Sequence, residues 1–482
     1  MAPSFHRSAG APEIQSQSPS FFSKLWKTPD PIYLSGLLPI RGRGAFDQVN
    51  LGETRTYSGD IEATMSTTTS IGAPGSLHRG TDASRWRVLA ILAVAIVLSL
   101  TTWFSATAIT PELKREWQLS PFVLSWLTIG VQIGFVCGAL AASLVNLPDI
   151  VRLNRLMALA ALLAAVANVS LLGVHGPMGA IAARVVTGFA LAGIYPPALK
   201  LVSTWFNRDR GLALGVVIGA LTVGSSMPHL FRSLAGAVEW RFVVKMSSLA
   251  TSVGAILFFF FAHEGPYPFG RALFNPRQAG AVFRDRSLLL ANVGYFGHMW
   301  ELYAMWAWLL VYVNAALGAQ QVSVVGRASL LTFVAIATGA LGCILGGILS
   351  DRIGRTATTA GMMIVSGACA LGIGFAFEGP AWLFIAVLVI WGISVIGDSA
   401  QFSAMVTELS DHRFVGTALS VQLGLGFALT AVAISLMPRI AAFLGSWRWA
   451  FLMLVPGPSI GASAMLILRG SPASARLANG RR

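Results

Sequence analysis

Charged side chains are scarce in this chain. Asp, Glu, Lys and Arg make up 11% of its 482 residues, against 55% hydrophobic ones, and the mean hydropathy is +0.68. A soluble domain carries about 25% charged residues, so a water-exposed globular protein of this length is excluded and a bilayer is the fitting solvent. Cysteine is nearly as rare. Cys137, Cys343 and Cys369 all fall in apolar stretches, are odd in number and have no ligand spacing. They read as small packing residues, which excludes a disulfide framework. The chain also lacks H-E-x-x-H, G-x-S-x-G, a nucleotide-binding P-loop and any metal-spaced His and Asp cluster. No hydrolase, NTPase or metal chemistry is therefore indicated, and no cofactor is implied. Acidic residues are few: 20 against 34 basic ones, for a net charge of +14 and a pI near 10.5. The basic residues lie scattered through short connections and the two ends, a pattern that orients membrane spans rather than one that grips nucleic acid.

What is present is a series of apolar runs of about twenty residues each, the length a ~30 Å hydrocarbon core requires. They are predicted near 86–108, 121–145, 153–173, 178–203, 211–235, 241–262, 287–313, 328–350, 356–377, 381–406, 414–436 and 448–468, twelve spans in all. Residues 1–84 differ: rich in Ser, Thr, Pro and Gly and without a periodic apolar face, they are expected to be disordered. Met65 opens an ordinary polar leader, and the expectation is that the native chain starts there, with 1–64 an over-long gene model that mass spectrometry of the N-terminus would test. Roughly three times as many Lys and Arg fall in the connections on the side of the termini, including Arg85, Arg152, Arg210 and Arg286, which predicts both termini in the cytoplasm. The longest connection, 263–286, holds Pro266, Pro268 and Pro276 with four arginines and reads as a cytoplasmic linker. It separates a bundle over 85–262 from a second over 287–468, followed by a cytoplasmic tail, 469–482. The halves echo one another: a shift of 205 residues lays Gly211-Leu-Ala-Leu on Gly416-Thr-Ala-Leu, Arg208 on Arg413, Gly219 on Gly424 and Gly134 on Gly339.

Between spans eight and nine runs Gly346-Gly347-Ile-Leu-Ser-Asp351-Arg352-Ile-Gly354-Arg355. Charges packed this tightly cannot lie in lipid, so the segment is a polar turn at one membrane face. Asp351 follows a helix end whose dipole repels it, so a cation or another helix's N-terminus should stand close by. The pattern G-x-x-x-D-R-x-G-R resembles the cytoplasmic loop signature of the major facilitator superfamily. Arg184-Val-Val-Thr-Gly188 in span four resembles the family's R-x-x-x-G pattern, and Gly215-x-x-x-Gly219 with Gly224 loosely echoes its glycine-rich fifth helix. The resemblance, of the bacterial inner-membrane type, implies an all-α membrane protein. Its twelve transmembrane helices would form two pseudo-symmetric six-helix bundles, with a solute site between them near the midplane. It places Arg184 either in a proton or substrate relay or as a structural tie from span four to span one. Two departures weaken a drug-efflux assignment. The connection after span two, Asn146-Leu-Pro148-Asp149, lacks the D-R-x-G-R order, and the span-five proline comes late, at Pro228. With one intact copy of the signature, Asp351 is expected to latch the inward side by meeting the N-terminus of span eleven near Arg413.

Span seven carries the densest chemistry: Tyr295-Phe-Gly-His298-Met-Trp300-Glu301-Leu-Tyr303-Ala-Met-Trp306-Ala-Trp308. His298 and Glu301, three apart, share a helix face. An ionised carboxylate at mid-span is too costly to leave unpaired, so Glu301 is protonated, paired, or each in turn, the alternation that proton coupling needs. Histidine titrates in the useful range. Trp300 and Tyr303 are candidates to pack a solute, whereas Trp306 and Trp308 approach the expected outer interface, where tryptophan is common for membrane reasons alone. Asp398 in span ten is the other buried acid, serving either function or as a cap on a helix break at Gly397. His229 and Arg232, beside Pro228, either greet an anionic solute from the outer side or mark the end of span five. Tyr195-Pro196-Pro197 should kink span four.

The function expected from these residues is secondary transport of a small organic solute, with the cationic groups favouring an anion, by alternating access and proton-coupled uptake. The partners are that solute, protons and the lipid bilayer, with the chain a monomer in the inner (plasma) membrane. The alternatives are an efflux antiporter, or a membrane receptor that binds a solute without moving it.

Overall fold

The computed structural model describes residues 75–481 apart from 208, 236–238, 268–279, 281, 321–325 and 412–414. Residues 1–74, including the Met65 start, most of the 263–286 linker and Arg208 and Arg413 of the repeat, lie outside the described residues.

Among the described residues, twelve helical segments are long and apolar enough to cross a bilayer: Ser84–Thr102, Pro121–Leu144, Leu153–Gly173, Pro177–Ser203, Arg210–Leu234, Trp240–Phe261, Arg286–Ala319, Arg327–Ile353, Arg355–Ala376, Ala381–Leu409, Val415–Phe443 and Ala450–Gly470. These are spans one to twelve, and each matches a predicted one. Two differences concern length. The first helix begins at Gly75, so 75–84 are helical rather than disordered as expected. Once a span has nucleated a helix, extending it through polar residues costs little. Spans seven and eleven run to Ala319 and Phe443, six and seven residues beyond the predicted ends. A window set by lipid thickness does not see such extensions, which cost little once the span has formed a helix.

Several spans are broken. Span four stops at Leu191 and resumes at Tyr195, where Pro196 and Pro197 occupy the first turn and need no amide partner. Span eight breaks at Thr338, and span ten between Gly397 and Ser399.

Each half packs in the same way. In the first, spans two and four cross so closely that a Cβ on Gly134 would fall on the Val185 carbonyl and one on Gly188 on that of Val131. In the second, Gly342 of span eight meets the Ile393 carbonyl and Gly392 of span ten that of Ala335. Small residues let backbones touch where lipid supplies no hydrophobic drive between helices. Spans one, three, four and six surround each other in the first bundle, and seven, nine, ten and twelve in the second. Spans five and eight, and two and eleven, meet across the bundle boundary.

Candidate functional site

The two bundles touch at both membrane faces and between them. On the face that carries the termini, Gly211, at the start of span five, lies against the Asp351 carboxylate, and Ser143 Oγ lies 3.4 Å from Ser420 Oγ. On the distal face, Arg232 of span five donates to Glu112 in the short helix after span one and to Ser329 of span eight, while Arg439 of span eleven covers the Phe122 ring of span two at 5.2 Å. At mid-depth, rings from both bundles interleave. Trp103 and Phe135 of the first bundle contact Tyr303 and Phe427 of the second with centroids 4.7 to 6.0 Å apart. One step further toward the distal face, Phe104 meets Trp306 edge-on at 5.8 Å. Of the tryptophans assigned to the lipid interface, Trp306 is fully buried in this stack and the buried Trp308 donates to the Ile434 carbonyl, so neither is an interfacial anchor.

Behind the stack, within the second bundle, lies an acid and imidazole cluster. His298 Nδ1 stands 2.8 Å from Asp398 Oδ1, both side chains about 2% exposed, and His298 Nε2 has no protein partner. Glu301 Oε1 accepts from Trp391 Nε1 at 2.7 Å. His298 and Glu301 share one face of span seven, as their spacing requires, and that face meets span ten at two points, Asp398 and Trp391, seven residues apart. Asp398 sits at the break in span ten, as foreseen, yet its side chain makes no cap hydrogen bond and turns to His298 instead. The break turns the local backbone so that an acid can enter the bundle. Trp300 faces away from the boundary and donates to the Met453 carbonyl at 2.9 Å; Tyr303 is in the ring stack.

Arg184 is fully buried and all five of its N–H donors are taken. Nε donates to the Leu127 carbonyl, Nη1 to Ser105 Oγ and Asn168 Oδ1, and Nη2 to the carbonyls of Thr102 and Trp103. No carboxylate is among these partners. The geometry is that of a tie from span four to spans one, two and three. The end of span one frees the Thr102 and Trp103 carbonyls, which an α-helix would otherwise satisfy internally, whereas the Leu127 carbonyl lies within span two.

The charged turn is built as a relay. Gly354 at φ +94° lets the chain reverse between spans eight and nine. Arg355 then reaches Glu408 at the end of span ten with two bonds of 2.8 and 2.5 Å, and Gln401 at 2.8 Å. Gly347 approaches the backbone of Gly211. Arg352 is exposed. Asp351 therefore lies against the first turn of span five, while Arg413, expected to stand near it, lies outside the described residues. Spans eight and five are direct neighbours, so the aspartate at the end of span eight reaches the first turn opposite it. The tail, unassigned in detail by sequence, packs here too: Ala478 N donates to Glu408 Oε2, Arg476 to the Leu409 carbonyl at 2.7 Å and Arg481 to the Asp351 carbonyl.

His229 is buried in span five with neither ring nitrogen partnered. Gln132 of span two, which sequence reasoning passed over, is likewise fully buried with both amide atoms unpartnered. A glutamine inside an apolar span was the available signal.

Two bundles of six spans with a buried polar cluster behind their contact define a polytopic membrane protein of the two-bundle carrier type. Comparison with known proteins identifies it further: the model of the Major Facilitator Superfamily matches residues 91–422, and the chain belongs to that family. Among curated proteins it is 23% identical over 262 residues to the MFS-type transporter pynF of Aspergillus niger, 51% of this chain and 55% of that one. It is 24% identical over 191 residues to the probable sulfoacetate transporter SauU of Cupriavidus necator, 36% of this chain and 44% of that one. The matches thus span about half the length of these relatives. Among solved structures, a bacterial homolog of the human lysosomal transporter Spinster, inward-facing and unoccupied, shares the fold at a TM-score of 0.55 and 15% identity, over 81% of this chain and 96% of that one.

Proposed function

We propose that the chain is a secondary transporter that moves a small organic anion by alternating access, coupled to protons and in the direction of uptake, from a plasma-membrane position with both termini cytoplasmic. The observation that carries the reading is the His298 and Asp398 pair at 2.8 Å in the interior of the second bundle. A buried imidazole and carboxylate in contact are stable together as an ion pair or with one shared proton, and an uncompensated charge on either is costly. Taking up or releasing a proton there changes what the bundle can bury, which is how a proton gradient biases two conformations. Glu301, one turn on and held by Trp391, is the second carboxylate on the same path. Asp351 against Gly211 holds the termini-side contact, and Arg232 with Glu112 and Ser329 the distal one, so alternating access breaks them in turn. We assign Arg184 to the structural tie.

The anion reading draws on His229 and Arg232 and is supported by the name of the Cupriavidus relative, whose stated solute is a small sulfonated carboxylate. The test uses full-length protein in proteoliposomes with labelled sulfoacetate. Counterflow and accumulation driven by an imposed pH gradient are both expected. Asp398→Asn should keep counterflow and lose at least about tenfold of the gradient-driven accumulation. Gradient-driven accumulation that survives Asp398→Asn and His298→Ala refutes the coupling site, and absence of any exchange with a panel of small carboxylates and sulfonates refutes the transporter reading.

A further inference from the structure

Nothing in the solute or proton chemistry uses the C-terminal segment, yet it is seated on the termini-side end of the second bundle. Pro472–Gly480 forms a 3₁₀ helix after span twelve, and Ser474 Oγ donates to the carbonyls of Arg469 and Ser471 at 3.0 and 2.7 Å. At about three residues per turn, Ser474 and Leu477 stand on one face of it. Both are fully buried, while Ala475 and Arg476 between them are exposed. A 3₁₀ run of this length is uncommon on its own, so what it touches holds it in place.

Its polar contacts fall on the ends of spans. Arg476 donates to the carbonyl of Leu409, the last residue of span ten, at 2.7 Å. Ala478 N donates at 3.1 Å to Glu408 Oε2, on the carboxylate that also takes Arg355. Arg481 donates to the carbonyl of Asp351, in the last turn of span eight. The final carbonyls of a helix have no partner within it, and a basic side chain there satisfies them and opposes the negative end of the dipole. Arg481 is thus a cation of the kind that an aspartate at a helix C-terminus calls for. Asp351 is gripped from two sides, with its carbonyl on the tail and its carboxylate against Gly211 of the other bundle.

We propose that the C-terminal segment is a releasable strap on the termini-side gate. Seated, it fixes the last turn of span eight so that Asp351 faces span five. Released, it lets the two bundles part there more readily. The strap bridges the ends of spans eight, ten and twelve, so a rearrangement of those ends costs its contacts, and that difference biases the population toward the closed face. Buried Leu477 is the anchor and exposed Arg481 the member that lets go first. The proposal rests on the alternating-access reading and adds a regulatory element to it.

The test reads the termini-side face directly. A cysteine is placed at Ser143, whose hydroxyl oxygen lies 3.4 Å from that of Ser420 across the boundary, and its labelling by a water-soluble maleimide is followed on the purified protein. Arg481→Ala should raise the labelling rate about two- to fivefold, the size expected for one cation at a helix C-terminus. Because the residue is exposed, its unfolding temperature should stay within about 1 °C of the parent. Truncation after Gly470 should raise labelling at least as much. Combined with Asp351→Asn, Arg481→Ala should add less than its own single effect, since both act through the same turn. Unchanged labelling in both tail variants would make the segment a passive brace and overturn the strap. Effects that multiply in the double variant would overturn its action through Asp351. Labelling that responds as expected in a protein that exchanges no solute in liposomes would remove the transporter reading and keep the strap. Exchange with labelling indifferent to the tail would do the reverse.

Discussion

Replacing Arg184 by methionine or lysine separates the two roles that the sequence leaves open for it. Its guanidinium closes five hydrogen bonds, three of them to backbone carbonyls of spans one and two. Side-chain hydrogen bonds inside membrane proteins average about 0.6 kcal/mol, so five sum to ~3 kcal/mol, while removing a buried charge returns part of that. Arg184→Met keeps an apolar stem of similar reach and loses every bond. At ~2 °C per kcal/mol for a large domain, its unfolding temperature should fall by about 4–6 °C. Lysine has three donors on a single atom and cannot span partners on three helices, so Arg184→Lys should fall by about half as much. The assay is fluorescence-monitored unfolding in detergent, with solute exchange by the surviving folded fraction as the second readout. A structural tie costs stability and leaves the apparent KM of the folded fraction unchanged. A methionine variant that unfolds within about 1 °C of the parent, with exchange abolished, would refute the tie and make Arg184 part of the relay.

Three further outcomes are expected. Gly392→Val should strip the fold of its span eight and ten crossing, because the new side chain falls on the Ala335 carbonyl; a cost above ~3 kcal/mol and loss of monodisperse protein are expected, and a normal elution profile would count against the packing. Asp351→Asn removes the charge set against the N-terminus of span five, worth about 0.3–1 kcal/mol, so labelling of a cysteine placed at Ser143 should rise about two- to fivefold, and unchanged labelling would disconnect Asp351 from the closed face. Truncation after Gly470 removes Leu477, which is fully buried in the intact chain, and frees one Glu408 oxygen and the Leu409 carbonyl; a loss of ~1–3 kcal/mol is expected, and unaltered unfolding would show that the tail does not brace the turn.

Much of the architecture is legible in the chain because its solvent imposes it. A bilayer tolerates only segments that satisfy their own backbone, so length and hydropathy locate spans two, three, five and six to within a residue or two. The kink at Tyr195 follows from the ring of proline in the same local way. The 205-residue echo foretold paired bundles, and one of its glycine pairs lies at the crossings: Gly134 over the Val185 carbonyl in one half, its counterpart Gly339 against Ile396 and the Gly392 carbonyl in the other. The site was legible only in part. His298 and Glu301 lie on one face because the helix period is fixed, but neither partner is local. Asp398 follows His298 by a hundred residues and reaches it because span ten breaks at Gly397.

From sequence alone came the membrane class, the twelve spans, the family's charged turn and the candidate polar residues, since each depends on composition or on spacing within one helix. Tertiary structure alone decided which of them meet: His298 with Asp398 rather than with Glu301, Asp351 with the first turn of span five, Arg184 with backbone and side-chain oxygens around spans one to three, and Gln132 with no protein partner. Those outcomes depend on how each helix is rotated and crossed, and that is set by small residues and breaks distributed over the whole chain. No stretch of one span contains that information.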